Sequence, residues 1–361
     1  NCNRPPDGHY RRWLEERGRD IDKYHWTADH PRAGGTAVSC GKWDIPAEDH
    51  ATAWVALEFS DWLDRIGKQQ RPWLAMVNIA DPHAPYVCPD PWFSNVDLHG
   101  VVPHTMSPGE FADKPPFYRS FREDGRYIDE HGKDLADDHR IASVFEDSFV
   151  EDRMLATHGY IAMVNMIDHY VGEMLTAVDR TGQRENTLIV FVSDHGDYLG
   201  NHGLWEKGAM AYDDCQRVPA IMSWRAQSAP LSGPSGSYFN LVDILPTCCE
   251  AAGIPVPVGV QGRSQVPVLR GEVPANADFA LVDFKASEAI NQRTLVHSGF
   301  KLVHYAGKDW GELYDLDRDP NQYRNLYDGH AYADIQSRMV AKLADVLVEN
   351  AGQSGRRIAY A

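Results

Sequence analysis

Ile161, Val164, Ile167, Val171, Met174 and Val178 recur at intervals of three and four, which predicts a long helix from Phe149 to Val178, ended by Thr181-Gly182. Trp54, Leu57, Phe59, Trp62, Leu63 and Ile66 form a second stripe near helical period. Pro46-Ala47-Glu48-Asp49-His50 opens that helix, with proline first and acids where the helix dipole favours them. Shorter helices are predicted over Tyr10–Arg17 with a stop at Gly18, over Leu241–Ala252 with a stop at Gly253, and over Ile335–Val348 near the carboxyl terminus. Continuous apolar runs at 73–80, 188–192 and 218–224 read as strands. From about Asp278 the pattern changes to short alternating segments at 280–283, 292–296 and 301–305, with 313–316 as a further strand, which predicts a small antiparallel sheet. The rest of residues 1–45 reads as surface loop, and 88–140 as loop-rich.

The chain has 361 residues, 43% apolar and 24% charged, enough for a large globular domain, here residues 1–275, and a smaller one, residues 276–361. The net charge of −17 argues against a general nucleic-acid binder, which needs a basic face. No apolar run is long enough to span a bilayer, so neither nucleic acid nor membrane is an expected partner. None of the six cysteines stands in a C-x-x-C pair. Cys248 and Cys249 lie in an apolar helical segment and read as core thiols. This usage favours a cytoplasmic location slightly, with a periplasmic or secreted one left open. The sequence begins at Asn1, without an initiator methionine or a signal-like stretch.

The segment Ser193-Asp194-His195-Gly196-Asp197 follows the strand at 188–192, where open α/β sheets place their chemistry. Asp194 and His195 offer a metal one oxygen and one nitrogen ligand. Lys207, thirteen residues after Asp194, can return as a point charge for an anionic substrate. His83, in Asp81-Pro82-His83-Ala84-Pro85, is held on a loop stiffened by two prolines. Taken alone, Asp194-His195 reads as a cap beside a satisfied histidine, Lys207 as a solvated lysine and His83 as a turn residue. Asp197 reads as structural, accepting backbone donors in its turn. Asp213-Asp214 reads as a solvated or capping pair, and Trp92, Phe93, Phe117 and Tyr118 as packing.

Taken in order, these segments resemble the sulfatase family of the alkaline-phosphatase superfamily, including its arylsulfatases, and more loosely the phosphonate monoester hydrolases. The resemblance runs through Pro82-His83-Ala84-Pro85, the 193–197 segment with Gly200 and His202, Lys207, and Arg217-Val218-Pro219. It continues through Asp243-Ile244-Leu245-Pro246-Thr247, Gln261-Gly262-Arg263-Ser264 and Glu312-Leu313-Tyr314-Asp315-Leu316. It implies an α/β fold, an alkaline-phosphatase-like mixed, mostly parallel sheet between helices, with a small carboxyl-terminal antiparallel sheet plus helix. It implies a sulfuric ester hydrolase with one divalent metal, calcium first and manganese or magnesium as alternatives. Asp194 and His195 become metal ligands, and Lys207 and His83 contact the transferring sulfate or the leaving oxygen. His202 is open to a substrate-site role or to a loop-stitching one. The substrate is a small-molecule sulfate ester or a related anionic ester, and a homo-oligomer is left open. A phosphonate monoester or phosphodiester hydrolase, and a catalytically inactive anion-binding homologue, are the alternatives. The family's nucleophile is a formylglycine made in a C-x-P/A-x-R motif, and Cys2, Cys40 and Cys88 all fail that pattern. No nucleophile is identifiable, nor is the family's early pair of acids. The expectation is a chain that matches the later two-thirds of a typical member and is inactive by itself.

Overall fold

Contacts divide the chain into two units. Unit 1 takes residues 1–106, 142–185 and 197–206, and unit 2 takes 107–141, 186–196 and 207–361. The computed structural model describes residues 8–31, 37–67, 71–101, 107–124, 150–228, 235–285 and 290–351. Among them the helices are α1 (His9–Glu16), α2 (Ala51–Ile66), α3 (Pro116–Asp124), α4 (Val150–Arg180), α5 (Asp213–Gln216), α6 (Ile244–Ala251), α7 (Val266–Leu269) and α8 (Ala333–Ala351). The strands are β1 (Trp26–Pro31), β2 (Ala37–Trp43), β3 (Tyr86–Cys88), β4 (Ile189–Val192), β5 (Ala220–Ser223), β6 (Phe279–Lys285), β7 (Asn291–His297), β8 (Phe300–Tyr305) and β9 (Gly311–Asp315). No helix among the described residues is long and apolar enough to cross a membrane.

In unit 1 the expected long helix is α4, which packs on α2, β2 and β3. Its buried face runs through Met163, Met166, Ile167, Tyr170, Met174, Ala177 and Val178, so that Ile167, Met174 and Val178 of the expected stripe are buried and Val164 is exposed. The helix comes close to β3 at Gly159, where a Cβ would collide with the carbonyl oxygen of Tyr86. Residues 26–31 and 37–43, expected as loop, form β1 and β2, which pair antiparallel; β2 pairs parallel with β3, Cys40 opposite Tyr86. Cys40, Tyr86, Val87 and Cys88 are all buried. The run 73–80, expected as a strand, joins no sheet among the described residues, and Leu74 and Met76 are 80% and 84% exposed. Strand propensity describes a side-chain set that fits a sheet; it does not supply the neighbouring strand.

The helix expected from Pro46 begins later. Ala47–Asp49 is a single 3-10 turn, and α2 starts after His50, whose Nδ1 accepts the N–H of Thr52 at 3.2 Å. The side chain of Thr52 donates to Asp81, and Asp81 Oδ2 lies 3.7 Å from His50 Nδ1. Ala53, Ala56 and Leu63 form the buried face of α2, and Leu57 is exposed.

In unit 2, β4 pairs antiparallel with β5, Phe191 opposite Ile221. Both strands are half-exposed or exposed rather than buried. Residues 276–361 supply the expected antiparallel sheet, in the order β6-β7-β8-β9, with α8 packed on β7 and β8. Phe279, Leu295, Leu302, Leu313, Met339 and Leu343 make its core. Cys248 and Cys249 lie on α6 as free thiols, Cys249 buried. Helix α3 forms inside the stretch expected to be loop-rich; Phe117 and Tyr118 on it are fully buried, as packing residues.

A polar network runs through this unit. Glu312, fully buried on β9, accepts from Tyr118 at 2.9 Å, from Tyr305 at 2.5 Å and from Tyr314. Burial, with Glu312 beside them, holds all three phenols well above their usual range. Lys114 donates to Tyr314 at 2.9 Å and to the carbonyl of Gln322 at 2.7 Å.

One pH effect follows from His50. Burial lowers its pKa, although Asp81 opposes this. A histidine depressed in the folded state leaves more protons on the unfolded chain. Stability is therefore full above about pH 6.5 and is lost as pH falls from there through the folded value. Melting temperatures are expected to drop below about pH 6.5, and His50→Asn, which caps without titrating, to flatten that part of the profile.

Candidate active site

The chain leaves β4 into Ser193, whose hydroxyl donates to the carbonyl of His195 at 2.7 Å. The N–H of His195 donates to Asp194 Oδ1 at 3.0 Å, and the Asp194 side chain is 87% exposed. His195 Nδ1 lies 2.7 Å from the carbonyl oxygen of Gly196. A carbonyl only accepts, so Nδ1 carries the hydrogen and Nε2 keeps the lone pair. Lys207 Nζ donates to that lone pair at 2.9 Å. The structure thus brings His195 and Lys207 into direct contact, with the carboxylate of Asp194 as the neighbour.

Gly196 sets this geometry. Its N–H donates to the carbonyl of Cys215 on α5 at 2.9 Å. A Cβ at Gly196 would collide with the carbonyl oxygen of Asp214. Backbone therefore approaches backbone at a distance only glycine permits. The stretch from Lys207 to α5 is tied down in turn. Ala209, Met210, Ala211 and Tyr212 are buried, the carboxamide of Gln292 donates to the carbonyl of Ala209 at 2.8 Å, and the N–H of Ala211 donates to the hydroxyl of Tyr118 at 3.0 Å.

The donors fit half of a metal site. An imidazole fixed as the Nδ1–H tautomer by a carbonyl is the usual preparation of a ligating histidine, and an exposed carboxylate is a hard ligand. Among the described residues no group of three His, Cys, Asp or Glu side chains is placed to hold a cation.

His83 and His202 belong to unit 1. Nδ1 of His83 lies 2.8 Å from the carbonyl of Ala84, which leaves Nε2 as the other ring position. Asp81, at the start of that turn, is fixed by Thr52 at the first turn of α2. His202 is buried at φ +58° inside the turn Asn201–Gly203, flanked by Gly200 and Gly203, both also at positive φ. Tyr198 N–H to Glu206 and Gly200 N–H to Leu204 close this loop at 2.9 and 2.8 Å. Asp197 accepts the N–H of Leu199 at 2.8 Å and the hydroxyl of Tyr86 at 2.9 Å, a structural role. Burial pushes its carboxyl up to about 6, against those two hydrogen bonds. Tyr86 gave no signal in the sequence, because its partner is 111 residues away. Asp213 corrects its reading as a solvated or capping residue: it pairs with the buried Lys301 at 2.8 Å.

A family model described as "Sulfatase" matches residues 20–254. The chain belongs to the sulfatase family. A second model, described as "N-sulphoglucosamine sulphohydrolase, C-terminal", matches residues 200–349. Among its sulfatase relatives, the N-acetylglucosamine-6-O-sulfatase of Bacteroides thetaiotaomicron is 33% identical over 52% of this chain and 34% of its own length. The uncharacterized sulfatase YidJ of Escherichia coli is 30% identical over 80% of this chain and 53% of its own. The arylsulfatase of Clostridium perfringens is 26% identical, covering 80% and 56%. The chain thus spans about half the length of the curated relatives it matches. The phosphonate monoester hydrolase of Silicibacter pomeroyi superposes with a TM-score of 0.75 at 23% identity, over 94% of this chain and 68% of the other. That likeness shows the expected alkaline-phosphatase-like fold. Members of this family generally depend on a divalent metal.

Gly196→Ala is expected to push the 194–196 turn off α5, with a stability loss of about 2 kcal/mol in urea denaturation. In the same variant, the histidine NMR signal of the His195 Nδ1–H is expected to shift.

Proposed function

We propose that the protein hydrolyses sulfate esters, with Asp194 and His195 as ligands of one divalent cation and Lys207 and His83 acting on the ester. The observation that carries this reading is the 2.9 Å contact of Lys207 Nζ with His195 Nε2 beside Asp194, at the end of β4, in a sulfatase chain. The ion proposed is calcium, with manganese or magnesium as alternatives; carboxylate oxygen suits all three. When bound, the cation supplies positive charge that attracts and polarises an anionic ester.

The chain's own groups do the rest. One lone pair at Nε2 cannot serve both a cation and Lys207, so the ammonium turns to the ester's anionic oxygens. There it stabilises charge that grows in the transition state, where a preorganised donor counts most. It also attracts the substrate locally, against the field of a chain with net charge −17. His83, with Nδ1 bound to a carbonyl, holds and releases a proton at Nε2, and is assigned to the departing alkoxide or phenoxide oxygen. His202, buried in its turn, keeps a place in the reading only as a support of that loop. No residue of this chain is assigned as nucleophile, since none of its cysteines stands in a C-x-P/A-x-R motif. The relatives are named for different sulfated alcohols, an aminosugar, choline and aryl groups among them, so the sulfate is the shared part of the substrate.

The test compares hydrolysis of 4-nitrophenyl sulfate with that of a phenyl phosphonate monoester, using the product of the complete reading frame with added divalent cation. Sulfate turnover that falls on the order of 10²-fold in Lys207→Ala is expected. Faster phosphonate turnover would reassign the enzyme to phosphonate monoesters, and binding of both esters without turnover would make it an anion-binding protein. The 361 residues purified alone are expected to give no formylglycine-dependent turnover.

A further inference from the structure

Lys301 has no role in the chemistry proposed above, yet it is among the most fully buried large side chains of the protein. It sits on β8 with its side chain 1% exposed. Its ammonium donates to Asp213 Oδ1 at 2.8 Å and to Gln322 Oε1 at 2.9 Å. A buried cation is costly unless it is paired and hydrogen-bonded, so this one holds its anionic partner tightly. That partner is the first residue of α5. Two residues on, the carbonyl of Cys215 receives the N–H of Gly196, and the carbonyl of Gly196 in turn receives Nδ1 of His195. A second tie, from Gln216 to Thr294 on β7 at 3.2 Å, fixes the far end of α5 to the same sheet. A helix of one turn has little stability of its own, so its place is set by these ties.

We propose that Lys301 is a positioning residue. By anchoring Asp213 it seats α5 against Gly196 and so fixes the tautomer and direction of the His195 imidazole that meets Lys207. The terminal sheet thereby aligns the site without touching substrate. The inference rests on the reading of His195 and Lys207 as site residues only for its effect on rate; the alignment itself is a statement about geometry.

The experiment uses isotope-labelled histidine, with the His195 signals assigned through His195→Gln, at a fixed concentration of divalent cation. Lys301→Met and Asp213→Ala are compared with Leu343→Ala, a core substitution on α8 that lowers stability without touching α5. The expected result is loss or displacement of the His195 Nδ1–H signal in Lys301→Met and in Asp213→Ala, and an unchanged signal in Leu343→Ala. In the active protein kcat then falls on the order of 10²-fold, with KM little changed, because misplacing a catalytic contact by about 1 Å has that effect. Should either single variant not fold, the double variant Lys301→Met/Asp213→Ala decides by the same signal, because it leaves no buried charge without its partner. A His195 signal unmoved in Asp213→Ala, or moved equally by Leu343→Ala, overturns the proposal. A displaced signal in a protein that hydrolyses no sulfate ester leaves the positioning role standing and removes the sulfatase reading instead.

Discussion

Unit 2 is arranged around keeping one carboxylate satisfied. Glu312 has no access to water, and a buried charge in that position is tolerated only when its oxygens are filled. Three phenols fill them, from α3, β8 and β9. Because the hydroxyl of Tyr118 also receives the N–H of Ala211, the same network grips the stretch that starts at Lys207. Hydrogen bonds in such a chain polarise one another, so the grip is stiffer than its members taken singly. The terminal sheet is thereby tied to the stretch that carries Lys207.

Much of the fold was legible because its signals are local. The α4 periodicity and the β6–β9 meander both arise within short windows, and antiparallel neighbours that follow one another in sequence need no distant information. Three-residue β3 was not legible. It is too short to show alternation, and its partner Cys40 is far off in sequence. The 73–80 run failed in the opposite direction, with strong propensity and no pairing among the described residues. The close approach of α4 to β3 also escaped, since a glycine that lets a helix approach a carbonyl leaves no mark in the apolar pattern.

The site divides along the same line. Asp194, His195 and Lys207 lie within fourteen residues of one another, and their types alone suggested their chemistry. What orients them was hidden. Asp213 looked like a solvated acid because its partner, Lys301, is 88 residues away, and a lysine in an alternating strand usually points to water. Glu312 and Tyr314 belong to a motif that carried the resemblance, but nothing in its spacing said that the carboxylate would be enclosed. Second-layer contacts of this kind depend on the finished fold, and single-sequence patterns carry them poorly.

The run at 73–80 has a bearing on handling the protein. Leu74 and Met76 stand in the open, on a backbone whose amide and carbonyl groups join no ladder among the described residues. Exposed apolar side chains of this kind favour association with other apolar surface, including the same run of another molecule. Mutual repulsion at net charge −17 opposes that contact at low ionic strength and fades as salt screens it. In concentrated, salted solution these eight residues therefore add an attraction that the bulk charge no longer opposes.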